Sequence, residues 1–274
     1  MKKFEGWLFC TDLDGTLYRR DKTVSRENLD AIEYFKSEGG LFTFITGRPP
    51  MTAVDICNTI HPNAPYGCFN GGGIFDPMKN EYLWSVELPR DVEELVCEVD
   101  RRLPEMGIQY NTRKGVYFNK DNAAQVRFRA LTGLPNLACP YTEVEEPAVK
   151  IVFAHLEEAM MEELIRLLRC HPRAHEFDFI RSEKILYEIL PKGVSKGAAL
   201  SKMAELLGIE MKRTVAVGDY NNDISMIRAA GIGFAVANGV PEVKAVADHV
   251  TVSNEEHAIA RIVEGLSQNK FFSL

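Results

Sequence analysis

The sequence predicts an α/β protein in which a parallel-sheet core is interrupted by an inserted α+β domain. Two observations lead to this. Short apolar runs alternate with helix-length amphipathic stretches over the first third of the chain and again after Ser195, an order that builds parallel strands joined by crossover helices. Between these stretches hairpins and helices are mixed, which belongs to a different layer architecture. The expected boundaries are 1–84 and 191–274 for the core and 85–190 for the insert, each of ordinary domain size.

The elements follow in order. Trp7 to Thr11 is an apolar strand, and Ser25 caps a helix whose Leu29, Ile32 and Phe35 share one face before Gly39-Gly40 stops it. Leu41 to Ile45 is a second strand, and Pro49-Pro50 opens a second helix. Tyr66 to Phe69 is read as a third parallel strand, ending at Asn70-Gly71-Gly72-Gly73. Ile74 to Leu88 reads as a hairpin around Asp76 to Asn80, followed by a helix marked by Val92, Leu95, Val96, Val99 and Leu103. Strands at Ile108 to Tyr110, Val116 to Phe118 and Val149 to His155 alternate with helices at Asn122 to Leu131 and Glu157 to Cys170, and a strand pair covers Glu176 to Ile180 and Ile185 to Leu190. The first pattern then returns: helix Lys196 to Leu207, strand Thr214 to Val217, helix Asp223 to Ala230, strand Ile232 to Val236 and a helix from Pro241.

Composition bounds the function. The 274 residues are 46% apolar and 26% charged, a globular balance. With 32 basic and 39 acidic residues the net charge is -7, and no basic block offsets it, so a nucleic-acid or anionic-membrane partner is not expected. No apolar run approaches the roughly 20 residues that span a bilayer, and the N-terminal apolar stretch is broken by Glu5 and closed by Asp12, so the start reads as mature protein. Six cysteines lie scattered without a Cys-x-x-Cys pair, which fits a reducing cytoplasm. Oligomeric state is left open.

The acidic residues concentrate where chemistry is expected. Asp12-Leu13-Asp14-Gly15-Thr16 follows the first strand, which places two carboxylates at the strand end where open α/β sheets bind ligands. Thr46-Gly47 follows the second strand, with a hydroxyl and a turn suited to an anion. Gly218-Asp219 and Asn222-Asp223 follow a third, and their spacing is not that of a calcium loop. Lys196 lies in the first turn of a helix, where a cation opposes the helix dipole, so it is expected to face an anion.

These four pieces in this order resemble the haloacid dehalogenase superfamily, and within it the Cof-like hydrolases, over nearly the whole chain. The resemblance implies a Rossmann-like core, an inserted α+β cap that closes over the site and chooses the leaving group, and a phosphatase acting on small phosphorylated metabolites such as sugar phosphates. It assigns Asp12 as nucleophile, Asp14 as acid and base, and Thr46, Gly47, Lys196 and Asn222 as phosphate contacts. It further implies Mg²⁺ held by the Asp12 carboxylate, the Asp14 carbonyl and the Asp219 carboxylate, with Asp223 in support. A cation is needed on physical grounds too, since two unit charges ~4 Å apart repel by about 4 kcal/mol at an effective dielectric of about 20. Departures from the family pattern are Cys10-Thr11 in place of an aliphatic pair and Gly73 after Asn70-Gly71-Gly72.

Three rivals are weighed against this. Gly193-Val194-Ser195-Lys196-Gly197 also satisfies the serine-hydrolase elbow, with Asp248, His249 or His257 downstream, although Pro191-Lys192 separates the strand from the turn. A non-catalytic phosphometabolite-binding protein is disfavoured by the intact set Asp12, Asp14, Lys196 and Asp219. A phosphomutase would share the same motifs.

Overall fold

The computed structural model describes residues 2–271. The chain divides into two compact units, one comprising the chain up to Gly47, Ala53–Trp84 and everything from Ser195 onward, the other Arg48–Thr52 and Ser85–Val194.

The first unit is built on a five-stranded sheet in the order His249–Val250, Ile232–Ala235, Thr214–Gly218, Leu8–Thr11, Leu41–Phe44, with every pairing parallel. Leu8–Thr11 is buried at every position, as expected of a strand covered on both faces. Its register matters for the site. Thr11 lies opposite both Val217 and Phe44, so the chain leaves three neighbouring strands at one level.

Tyr66–Cys68 is a correction to the sequence reading. It is not a further strand of the parallel sheet but pairs antiparallel with Gly73–Asp76, in a small three-stranded sheet with Glu81–Ser85. Parallel pairing needs a crossover of a dozen or more residues, and only Phe69 to Gly72 separate these two strands. A single parallel bridge from Ile45 to Gly67 links this sheet to the main one.

Helix Arg26–Ser37 begins where Ser25 accepts the Asn28 N–H at 3.3 Å and ends before Gly39, whose φ of +88° is left-handed. Its Phe35 is fully buried, stacked on Phe4 at 4.5 Å and edge-on to Phe9 at 5.7 Å. A C-terminal helix, Ala258–Ser267, lies beyond the last element anticipated from sequence. It buries Ile259, Ile262, Val263 and Leu266, and its Ala260 N–H donates to the Asn28 side chain at 3.0 Å.

The second unit is a six-stranded sheet ordered Phe177–Glu183, Leu186–Pro191, Lys150–Ala154, Gly107–Asn111, Val116–Lys120, Leu137–Ala138, antiparallel except for the last pair. Successive strand residues point to opposite faces. Accordingly Ile151 and Phe153 pack with helices Glu93–Arg102 and Glu158–Cys170, whereas Val152 and Ala154 pack with Ala124 of helix Ala123–Thr132. Lys150 and Glu188 form a buried ion pair at 3.1 Å. Arg129 and Arg181 make bidentate pairs with Asp121 and Glu158 of the same unit. Among the described residues no helix is long and apolar enough to cross a membrane.

Phe35→Ala removes the ring shared by Phe4 and Phe9 and is expected to cost about 3–5 kcal/mol of stability. Urea denaturation monitored by circular dichroism measures this, and a loss below about 1 kcal/mol would show that the cluster is not a core element.

Candidate active site

All eight residues that the sequence marks for the reaction lie in the first unit. The shared register brings their strands out together. The Asp12 N–H donates to the Val217 carbonyl at 2.9 Å, continuing the ladder one residue past Thr11. Thr46 leaves the neighbouring strand with its N–H on the Gly67 carbonyl at 3.0 Å and its own carbonyl on the Asn70 N–H at 3.0 Å. Lys196 opens helix Lys196–Leu207, where Ser195 Oγ accepts the Ala198 N–H at 3.1 Å.

The Lys196 side chain is completely buried, and its Nζ sits 2.6 Å from Asp12 Oδ1 and 2.5 Å from Asp223 Oδ1. This resolves the apparent conflict with the helix dipole: two carboxylates outweigh it. One oxygen each of Asp12, Asp219 and Asp223 lies within 4.8 Å of the others. With all three carboxyls ionised, the one ammonium would leave two negative charges unbalanced. Burial pushes the Asp12 carboxyl well above its usual range, Lys196 opposes this, and Asp223 and Asp219 add to it. Burial and the Asp223 charge likewise push Asp219 up to about 7. For Lys196, burial lowers the pKa, but Asp12 and Asp223 more than reverse it. The cluster is therefore a hard, oxygen-only donor set short of positive charge, which fits a divalent cation such as Mg²⁺.

The three carboxylates are held differently. Asp223 is fully committed within the protein: Oδ1 meets Lys196, and Oδ2 accepts the N–H groups of Asp219 at 2.9 Å and Tyr220 at 3.1 Å. Asp219 Oδ1 accepts the Thr16 hydroxyl at 2.8 Å. Gly15 is required beside it, because a Cβ there would stand 2.4 Å from Asp219 Oδ2, at a φ of +86° that side chains avoid. The Asp14 carboxylate is not one of these three, although its charge is felt at Asp219, and its Oδ1 accepts from Lys22 Nζ at 2.7 Å.

Gly47 and Asn222 meet through a residue not assigned from sequence. Asn70, buried and left-handed at φ 56°, accepts the Asn222 side-chain N–H at 3.0 Å, and a Cβ on Gly47 would stand 3.0 Å from the same oxygen. Its signal is the Asn-Gly-Gly-Gly run that ends the third strand of the sequence reading, where no role falls to Asn70 itself. Asn238 is a second such residue: its side chain donates to the Gly15 carbonyl at 2.8 Å, and its Oδ1 accepts the Asn254 N–H at 2.9 Å.

The serine-hydrolase alternative loses its geometry. Ser195 Oγ is a helix cap, Asp248 accepts the Gly233 N–H at 2.8 Å, His249 packs against Phe234 and Phe271, and His257 faces Glu27 and Arg19.

The family model of the haloacid dehalogenase-like hydrolases matches residues 9–263. The chain belongs to this family. Among relatives of this hydrolase, the 5-amino-6-(5-phospho-D-ribitylamino)uracil phosphatase YitU of Bacillus subtilis is 26% identical over 98% of each chain. Phosphatase YwpJ of the same organism is 27% identical over 94% of this chain and 99% of its own. A haloacid dehalogenase-like hydrolase from Bacteroides thetaiotaomicron superposes with a TM-score of 0.83 at 25% identity, covering 94% of this chain and 98% of that one. The subclass IIB sugar phosphatase BT4131 shares the fold with a TM-score of 0.84 at 19% identity, over 97% and 100%. As a haloacid dehalogenase-like hydrolase of this kind, the chain is a phosphatase.

Gly15→Ala is expected to displace the Asp219 carboxylate and weaken divalent-cation binding by about tenfold or more, as changes beside a metal ligand do. Isothermal titration of the purified variant measures this, and unchanged affinity would show that Asp219 does not bind the ion.

Proposed function

We propose that this phosphatase hydrolyses monophosphate esters of small metabolites, sugar or polyol phosphates among them, with Mg²⁺ and through an aspartyl phosphate on Asp12. The observation that carries the reading is the buried Lys196 ammonium bound to Asp12 and Asp223 beside a third carboxylate, Asp219. Such a group of charges is costly to bury unless it serves a charged substrate and ion. The substrate class rests on the names of the relatives, one a phosphatase of a phosphorylated ribityl compound and one structural neighbour a sugar phosphatase.

In this reading Mg²⁺ would be held by the carboxylates of Asp12 and Asp219 and by the Asp14 carbonyl that the family resemblance implies, with Asp223 fixing the loop that presents Asp219. When bound, the ion supplies the positive charge that lets a phosphate dianion approach a carboxylate. Asp12 attacks phosphorus in line, dividing one difficult step into two. Asp14 gives a proton to the departing oxygen and later takes one from the water that releases phosphate. Thr46, the Gly47 backbone and Lys196 hold the phosphoryl oxygens, on which the transition-state charge resides. Asn222, oriented by Asn70, adds a further contact. The six free cysteines fit a reducing cytoplasm as the working compartment.

Asp12→Asn is expected to abolish Mg²⁺-dependent release of phosphate from a panel of phosphorylated metabolites while leaving the circular dichroism spectrum unchanged. Substantial residual turnover would overturn the assignment.

The raised carboxyls also set a pH signature. A carboxyl whose folded pKa lies above its unfolded value, ~4, destabilises the folded chain increasingly as pH rises through the folded pKa, here about 7 for Asp219. A bound cation cancels that penalty, and at low pH it must first displace protons. Mg²⁺ should therefore raise the melting temperature more at about pH 8 than at about pH 5.5. Differential scanning fluorimetry tests this, and an equal or reversed effect would count against these carboxylates as ligands.

A further inference from the structure

Lys22 lies outside every motif, yet its ammonium is 2.7 Å from Asp14 Oδ1. The loop around it is built to place it there. The Arg19 N–H donates to the Thr23 carbonyl at 2.9 Å and the Lys22 N–H to the Arg19 carbonyl at 3.0 Å, closing a tight turn. Asp21 Oδ1 locks the turn by accepting the Thr23 N–H at 3.0 Å and its hydroxyl at 2.6 Å. The far side is anchored by the Arg20 N–H on Glu255 at 2.8 Å.

Folding stability does not account for this arrangement. Both partners are partly exposed, with side-chain accessibilities of 55% and 35%, and ion pairs in such settings contribute little. Lys22 also adopts a φ of 62°, a left-handed backbone that costs a non-glycine residue energy. A strained lysine held against the one site carboxylate that lies outside the metal cluster points to a task at that carboxylate.

We infer that Lys22 is a positioning residue for Asp14: its ammonium, 2.7 Å from Oδ1, fixes the carboxyl in one rotamer, aimed at the departing oxygen. The inference rests on the proposed role of Asp14 as general acid. In that step an Asp12 oxygen forms a bond to phosphorus and the bond from phosphorus to the ester oxygen breaks. The ester oxygen keeps the electron pair and takes the Asp14 proton, leaving Asp14 as the carboxylate that Lys22 faces. The effect of Lys22 should therefore scale with how badly the leaving group needs that proton.

Phenyl phosphate and 4-nitrophenyl phosphate differ little in size, but phenolate is the poorer leaving group and depends more on the acid. The quantity to compare is kcat/KM of the Mg²⁺-loaded full chain, which covers the steps up to release of the phenol. Lys22→Met is expected to lose about tenfold with phenyl phosphate and less than about twofold with 4-nitrophenyl phosphate, while Lys22→Arg restores the phenyl phosphate activity and all three proteins melt alike. An equal fall with both substrates would assign Lys22 to substrate binding or to the turn, and no fall with either would remove it from the reaction; both overturn the inference. Absence of turnover of either ester by the unsubstituted protein would instead overturn the phosphatase reading on which it rests.

Discussion

Lys196 is the point on which the site depends. Its ammonium, without solvent contact, joins Asp12 from the start of the chain to Asp223 from the last third. Removing one partner of such a group strands the others as buried charges, an effect of several kcal/mol. Much of the surrounding sequence serves this contact. Gly71 has a φ of +99°, and a Cβ there would stand 2.1 Å from the Ser195 carbonyl, so the Asn70 loop can approach the start of the lysine helix only with glycine. Gly218 is needed in the same way, since its Cβ would stand 2.3 Å from that of Asp223.

The chain's organisation follows from the same constraint. A parallel sheet releases its strand ends at one edge, and loops there carry function while the strands keep the frame rigid. Because Thr11, Val217 and Phe44 are in register, three loops distant in sequence deliver carboxylates and a hydroxyl to one place. A long insertion is tolerated because it leaves this sheet unbroken and has a core of its own, built on the strands Lys150–Ala154 and Gly107–Asn111 and their covering helices.

Most of this was legible in the sequence, for identifiable reasons. Asp12, Asp14, Thr46, Lys196, Asp219 and Asp223 stand out because carboxylates, a hydroxyl and a lysine follow apolar strands or open a helix, which is visible locally. Helix Arg26–Ser37 was readable from its Ser25 cap, and Glu93–Arg102 from its apolar spacing. What escaped depends on contacts between distant segments. Asn70 matters only because its oxygen meets Asn222, 152 residues away, and Asn238 only because it reaches the Gly15 carbonyl. Tyr66–Cys68 looks like any strand of the parallel sheet until the short link at Phe69 to Gly72 turns it back on itself. Lys22 carries no pattern at all, since its meaning lies in a turn geometry that ordinary residues encode.

The central claim is that Asp12 becomes covalently phosphorylated, and chemical trapping tests it most directly. The protein would be mixed with Mg²⁺ and radiolabelled phosphate ester, quenched in acid within the first turnover, and its peptides mapped. The account predicts label on the peptide that contains Asp12, lost on treatment with hydroxylamine as an acyl phosphate must be. Label on Ser195, or turnover with no phosphorylated protein at any time, would contradict it.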